Sequence, residues 1–450
     1  MATQARGQEG RQGHRQGQEA GGVVLTPQEL PTTRGPVVGL TRVPGSKSET
    51  NRALVLAALA DGPASLEGVL RSRDSDLMMA ALRGLGVEIA QVAPDALRIT
   101  PPARFRAPVG GIDCGLAGTV MRFVPPLATL ADGPVRFHGD PHASNRPMAG
   151  LLDGLRQLGA TIDGDRLPLT VTPPGPDVPR RPQEVVIDSS ASSQFLSGLL
   201  LIGARLTGGL CLRHRGDRLP SRPHIEMTVT MLQERGVHVE SPDEASWRVQ
   251  EGTITARDVT VEPDLTNAAA FLAAAAVTGG RVTVPGWPRY SLQPGAMFLP
   301  VAEEMGCTVS LLGDTVELTG PERLHAVAVD LHEASELTPV VAALAAVAEG
   351  TTRITGVAHI RGHETDRLSA LAAELTTLGV SVVELPDGLE ITGGLPTGDP
   401  VELRTYADHR LVHFAAILAL VRPGITVDDI GCVSKTMPDF IERWTGLVGV

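Results

Sequence analysis

The sequence predicts an α/β protein of two domains, each holding three copies of one βαβ-type unit of roughly 70 residues. Two recurring junctions and the state of the chain ends support this. An alanine/leucine-rich helix that stops at a glycine and leads into a short strand occurs six times, with glycines Gly62, Gly133, Gly209, Gly280, Gly350 and Gly424 spaced by 71, 76, 71, 70 and 74 residues. A second helix-to-strand junction follows each of the first five, at Gly86, Gly159, Gly236, Gly306 and Gly379, and the sixth falls near Gly449. Glycine just past a helix is the usual left-handed cap, so every junction is expected to be a helix stop of that kind.

Along the chain, residues 1–22 (MATQARGQEGRQGHRQGQEAGG) carry almost no large apolar side chains and are expected to form a disordered tail. They lack the apolar stretch of a secretory signal. GPVVGLTRV (35–43) reads as a strand with no helix before it. The last helix, DFIERWTGLV (439–448), has no room for a strand after it, so the N-terminal strand is expected to complete the sixth unit. The ends then meet in one domain. Units one to three span 46–262; units four to six span 23–45 plus 263–450, with hinge crossings near 44–46 and 261–264.

Each unit places a polar loop before its first helix. In the first, PGSKSETNR (44–52), Ser46 separates glycine from lysine, so this is no Walker A loop; it remains an anion-binding helix start with Lys47, two hydroxyls and Arg52. The second, DCGLAGTVMRF (113–123), has Gly115 and Gly118 for close backbone approach and is followed by Arg146 in SNRPM. The third, DSSASSQF (188–195), sets Ser192, Ser193 and Gln194 ahead of a helix, which suits a phosphate. The fourth, DLTNAAAF (264–271), repeats that spacing with fewer polar groups. The fifth unit supplies Glu336, His359, His363, Glu364 and Arg367, and the sixth Asp408, His409, Arg410 and Lys435. If all six loops face one cleft, that cleft is strongly cationic.

A net charge of −12 argues against a nucleic-acid partner but leaves anionic small molecules open. Apolar runs are too short or too interrupted to span a membrane. Four cysteines far apart, with no ligand spacing, read as buried thiols of a reducing cytoplasm, and no metal is expected. The basic residues pose a sharper question. Lys47 and Lys435 are lysines, and all other basic side chains are arginine. Lysine is a compact charge whose pKa can be tuned, whereas arginine stays charged.

PGSKSETNRALVLAALA, GLAGTVMRF, RPM, SSASSQFLSGLLL, SRPHIEMT, HETDRL, YADHRL and SKTMPDF follow one another over residues 35–444. In these motifs the chain resembles the 5-enolpyruvylshikimate-3-phosphate synthase family of enolpyruvyl transferases. The resemblance implies an inverse α/β barrel fold with βαβαββ units. It also implies transfer of the enolpyruvyl group of phosphoenolpyruvate to the 5-hydroxyl of shikimate 3-phosphate, without a cofactor or metal, by a monomeric cytoplasmic enzyme. For shikimate 3-phosphate it assigns Ser48 and Arg52 to the carboxylate, Ser192, Ser193 and Ser221 to the phosphate, and Lys47, Gln194, Glu336 and His363 around the ring. For phosphoenolpyruvate it assigns Lys47, Arg146 and Lys435 to the phosphate, with Gly118 allowing approach, Arg367 and Arg410 to the carboxylate, and Gln194 between the substrates. Lys47, Glu336, Glu364 and Lys435 are the groups at the reacting centre, where the enol methylene must gain and then lose a proton. Room beside Gly118 implies sensitivity to glyphosate.

The chain departs from the family at several contacts. Glu336 stands where aspartate is common, His363 where lysine is, His359 and Leu116 where asparagine is, and His224 where tyrosine is. The sister transferase acting on UDP-N-acetylglucosamine is the nearest alternative, but its loop cysteine has no counterpart in GDPHASNRPM. A non-catalytic binder of phosphorylated ligands is the other, and it would not need both lysines with Glu336 and Glu364.

Overall fold

The computed structural model describes residues 28–175 and 183–449; the tail expected over 1–22 lies outside the described residues. Twelve α-helices lie among them. The first three units hold α1 (Lys47–Leu59) and α2 (Arg73–Gly84), α3 (Gly118–Ala128) and α4 (Ala149–Gln157), then α5 (Gln194–Gly203) and α6 (Pro223–Gln233). The last three hold α7 (Leu265–Thr278) and α8 (Phe298–Glu304), α9 (Thr338–Val347) and α10 (Arg367–Thr377), then α11 (His409–Ala419) and α12 (Phe440–Val448).

The first helix of each unit is apolar on nearly every face. In α7 all residues except Thr266 and Thr278 are buried, as expected of a helix without a polar stripe. Helices α1, α3 and α5 pack together in one apolar core, and α7, α9 and α11 in another. Helices therefore fill the centres and the small sheets lie outside.

Six small sheets lie among the described residues, five of four strands and one of three. The second unit shows the pattern. Ile112–Asp113 precedes α3 and pairs in parallel with Val135–His138 after it, and Leu169–Thr172 and Thr161–Asp163 add antiparallel strands. A parallel pair needs a crossover, which the buried helix supplies.

The N-terminal strand corrects one expectation. Val38–Leu40 pairs in parallel with Arg281–Pro285, so it completes the fourth unit and not the sixth. The sixth sheet is closed by Gln28–Glu29, antiparallel to Ile425–Val427. Correspondingly, Val259–Thr260 pairs with Ala64–Glu67 of the first unit. Each crossing is thus preceded by a strand that stays with its own side, and the helix that follows belongs to the other. The crossings lie side by side: the Ser46 amide donates to the Glu262 carbonyl at 2.7 Å, and the Asp264 amide to the Pro44 carbonyl at 2.9 Å.

The glycine stops also divide. All six glycines of the second series, Gly449 included, have positive φ, whereas in the first series only Gly209, Gly350 and Gly424 do, and the fourth unit uses Gly279 in place of Gly280. Helix α1 is already broken at Ala60, which is extended, so Gly62 is not needed as a left-handed cap.

Candidate active site

The N-termini of all six buried helices open on one cleft. Its two lobes share Lys47, Gln194, His224 and Glu336. Asp264 caps α7 through the Thr266 and Asn267 amides, and its other oxygen accepts the Lys47 amide of α1 at 3.2 Å, joining the two sides. Asp408 caps α11 through the Arg410 amide. Helix α3 has no side-chain cap, which leaves its first amides available to an anion, whereas at α5 the Gln194 amide donates to Ser192 Oγ at 3.3 Å and the Phe195 amide to the Ser192 carbonyl at 3.2 Å.

Around these helix ends stand Lys47, Arg122, Arg146, Arg367, Arg410 and Lys435. Lys47 Nζ lies 3.5 Å from Asp74. Glu364 pairs with Lys435, accepts from Arg367 at 3.0 Å and lies 3.8 Å from Arg146. Arg367, 0% exposed, also pairs with Asp408 at 2.8 Å and Glu336 at 3.4 Å. Arg410 Nε stands 2.5 Å from Glu336, an ion contact without the alignment of a hydrogen bond. The Arg146 guanidinium donates to the Leu116 carbonyl, and Arg122 to the carbonyls of Gly118 and Pro147.

Burial opposes ionisation of Glu336, but Arg410 and then Arg367 hold its carboxyl far below the ordinary range. Glu364 is likewise held well down, with Lys435, Arg146 and Arg367 overcoming burial. Burial lowers the Lys435 ammonium, and Glu364 offsets this only in part. Burial and then Arg146 push Arg122 well below its usual value, and Glu364 offsets this only in part. His224 and His363 are pushed to about 3, and His359 to about 4, chiefly by burial, so all three are neutral.

The cleft is lined by Lys47, Ser48, Gly118, Arg146, Ser192, Ser193, Gln194, Ser221, Glu336, His363, Glu364 and Arg410. Arg367 and Lys435 sit just behind, bonded to lining carboxylates. Arg52 does not reach the lining. Its guanidinium is engaged by Thr228, Ser197 and the carbonyls of Ser48 and His224, and lies over the Phe123 ring. Sequence reading missed Arg122, Asp74 and the pairing role of Asp408. Arg122 was legible as one turn beyond Gly118, while Asp74 carries no local signal. Cys114 is fully buried with its thiol pushed up to about 12, so it is no nucleophile.

Residues 31–444 match the family model for EPSP synthase (3-phosphoshikimate 1-carboxyvinyltransferase). A 3-phosphoshikimate 1-carboxyvinyltransferase from Mycobacterium ulcerans (strain Agy99) is 47% identical over 431 residues, covering 94% of this chain and 98% of that protein. In fold, the chain is similar to EPSP synthase from Acinetobacter baumannii, with TM-score 0.76, 24% identity, and 93% and 97% of the two chains covered. It is also similar in fold to the enolpyruvyl transferase NikO from Streptomyces tendae, with TM-score 0.74, 20% identity, and 94% and 97% covered.

Proposed function

The chain belongs to the EPSP synthase (3-phosphoshikimate 1-carboxyvinyltransferase) family, and from that premise we propose how its cleft carries the reaction. The enzyme transfers the enolpyruvyl group of phosphoenolpyruvate to the 5-hydroxyl of shikimate 3-phosphate and releases phosphate, a step of aromatic amino-acid biosynthesis. The observation that carries the site assignment is the meeting of six cationic side chains with the uncapped N-terminus of α3.

Two polyanions must be held side by side, which needs cations to offset their repulsion and fix orientation. Ser192, Ser193 and Ser221 take the shikimate phosphate. Ser48 takes the carboxylate, and Arg52 acts by fixing Ser48 through its carbonyl. His363 and Gln194 border the ring. Lys47, Arg146, Lys435 and the α3 N-terminus at Gly118 take the phosphoenolpyruvate phosphate, with Arg122 behind them. Arg367 and Arg410 take its carboxylate as planar forks.

Glu336 and Glu364 act as counter-ions in the empty cleft. Phosphoenolpyruvate competes for the same arginines and lysines, which releases the two carboxylates and raises their basicity. Glu336 then accepts the proton of the 5-hydroxyl as its oxygen bonds to carbon 2, while Glu364 and Lys435 deliver a proton to carbon 3. In the second step carbon 3 returns its proton to the Glu364–Lys435 pair, the carbon–oxygen bond to phosphate breaks as the double bond re-forms, and the proton held by Glu336 leaves with the phosphate.

The apolar cores on the two sides of the cleft are read as domains 46–262 and 23–45 plus 263–450, closing about the paired crossings. No helix among the described residues is long and apolar enough to cross a membrane; a monomeric cytoplasmic enzyme inhibited by glyphosate fits this reading. The test is phosphate release with phosphoenolpyruvate and either shikimate 3-phosphate or UDP-N-acetylglucosamine. Release with shikimate 3-phosphate alone, reduced by at least about a hundredfold in Lys47→Met, is expected; an indifferent mutant removes Lys47 from the centre.

A further inference from the structure

Ser221 sits on the loop before α6, and Glu336 on the 3-10 turn His332–Leu337 before α9. These segments come from opposite sides of the cleft, yet four contacts fasten them. Arg218 pairs with Asp330 at 3.1 Å, His332 Nε2 meets the Leu219 carbonyl at 2.8 Å, the Ser221 amide donates to the His332 carbonyl at 3.2 Å, and the Arg222 amide donates to Glu333 at 2.7 Å. Ser221 has φ +47°, a conformation a non-glycine residue keeps only where its surroundings impose it.

His332 is the centre of this fastening. It is 6% exposed, and its other ring nitrogen, Nδ1, lies 3.0 Å from the Gly356 carbonyl. Both partners are carbonyl oxygens, which only accept, while a neutral imidazole has one N–H. Two such contacts require both nitrogens to carry hydrogen, as in the imidazolium. The surrounding charges suit a cation. The His332 amide donates to Asp330 at 2.8 Å, and Glu333 is the next residue. Asp387 holds the Gly356 amide on the strand side. Arg218 and Arg222 face it from the loop, each matched to a carboxylate. His359, with ring centroid 5.6 Å away, is pushed down to about 4 chiefly by burial, and Glu336 and His363 lie beyond it.

We propose that His332, as a doubly donating imidazolium, is a positioning residue that docks the Ser221 loop across the cleft onto the segment carrying Glu336, so that capture of shikimate 3-phosphate weakens as this ring loses its second proton. The inference rests on the reading of Ser221 as a ligand of the substrate phosphate. Loss of the charge leaves a ring lone pair against a carbonyl, and the contact across the cleft is the one free to open.

The test uses the full chain and the ratio of KM for shikimate 3-phosphate in His332→Gln to that in wild type, from about pH 5 to 8, where imidazole changes charge. Titration of the substrate cancels in this ratio. The ratio is expected to be about tenfold at the acid end, the worth of one charge-assisted hydrogen bond, and to fall toward one as pH rises, with kcat changed less than KM. A ratio of one throughout, or a raised ratio that does not vary with pH, overturns the proposal. Arg218→Ala alters an exposed side chain and so gives a reading free of misfolding. A rise of about two- to threefold in the same KM is expected, and no rise counts against docking. Nitrogen-15 spectra of the histidine-labelled wild-type chain, with the His332 signal identified by its loss in His332→Gln, should show both ring nitrogens protonated at the acid end; a bare nitrogen there overturns the proposal. Ser221→Ala tests the underlying reading separately. If it leaves KM unchanged while the His332→Gln ratio keeps its pH dependence, the docking stands and Ser221 is not the phosphate ligand.

Discussion

Replacing Glu364 by glutamine removes one negative charge from the point where Lys435, Arg367 and Arg146 meet, with Arg367 at 3.0 Å and Arg146 at 3.8 Å. At an effective dielectric constant of about 20, a unit pair about 4 Å apart interacts by about 4 kcal/mol. Desolvation cancels much of that sum. Breaking a buried pair costs about 3–5 kcal/mol, and the low end applies because Asp408 and Glu336 still face Arg367. Glu364→Gln is therefore expected to cost about 3 kcal/mol, lowering Tm by about 3 °C in a chain of 450 residues. Inorganic phosphate should restore more Tm in the variant than in wild type, because an anion fills the missing charge. In catalysis the field on phosphoenolpyruvate becomes one charge more positive, so its KM should not rise. Loss of the proton carrier should lower kcat by about 10²–10⁴-fold. Thermal scans with and without phosphate, beside steady-state kinetics, measure both effects. A several-fold rise in KM with kcat intact would refute the reasoning, since Glu364 would then be a binding group and not a proton carrier.

Three further outcomes follow from the same geometry. A Cβ at Gly118 would lie 2.8 Å from Arg122 Nη1 and 3.1 Å from Arg146 Nη1; Gly118→Ala should displace these guanidinium groups and raise KM for phosphoenolpyruvate by about three- to tenfold with kcat nearly kept, and an unchanged KM would place the substrate elsewhere. Burial raises the Glu49 carboxyl from 4.5 to about 7 despite the Glu262 amide it accepts, so folding favours its protonated form, and its contribution is complete below pH 4.5 and lost as pH rises through 7. Glu49→Gln, which keeps the acceptor, should add about 1–2 kcal/mol at pH 8 and nothing at pH 4.5 by denaturant midpoints; equal shifts at both would contradict this. His413 has both ring nitrogens buried without partners beside the Phe440 ring, and burial with Arg410 pushes it from 6.5 to about 3. Its stability contribution is present above 6.5 and lost as pH falls toward 3, so His413→Phe should gain about 1 kcal/mol at pH 7 and flatten the acid decline, and a loss of stability at pH 7 would show that the nitrogens are satisfied.

Much was legible in the sequence because it is local. Six helix-to-strand junctions at a near-constant period gave the repeat, since helix periodicity and glycine stops are written within a dozen residues. Position in the repeat also carried Lys47, Gly118, Ser192, Ser193, Gln194, Glu336 and Arg410 to the cleft, because each stands where a buried helix begins. Tertiary structure decided what depends on segments far apart in the chain. Val38–Leu40 joins the fourth sheet because a strand pairs with whichever edge lies beside it, and nothing in its own residues names that edge. Asp74 reaches Lys47, Asp408 reaches Arg367, and Leu219 reaches His332 only after folding. The same holds for the histidines: they read alike at 332, 359 and 363 in the sequence, and only the packed fold sets the partners of each ring.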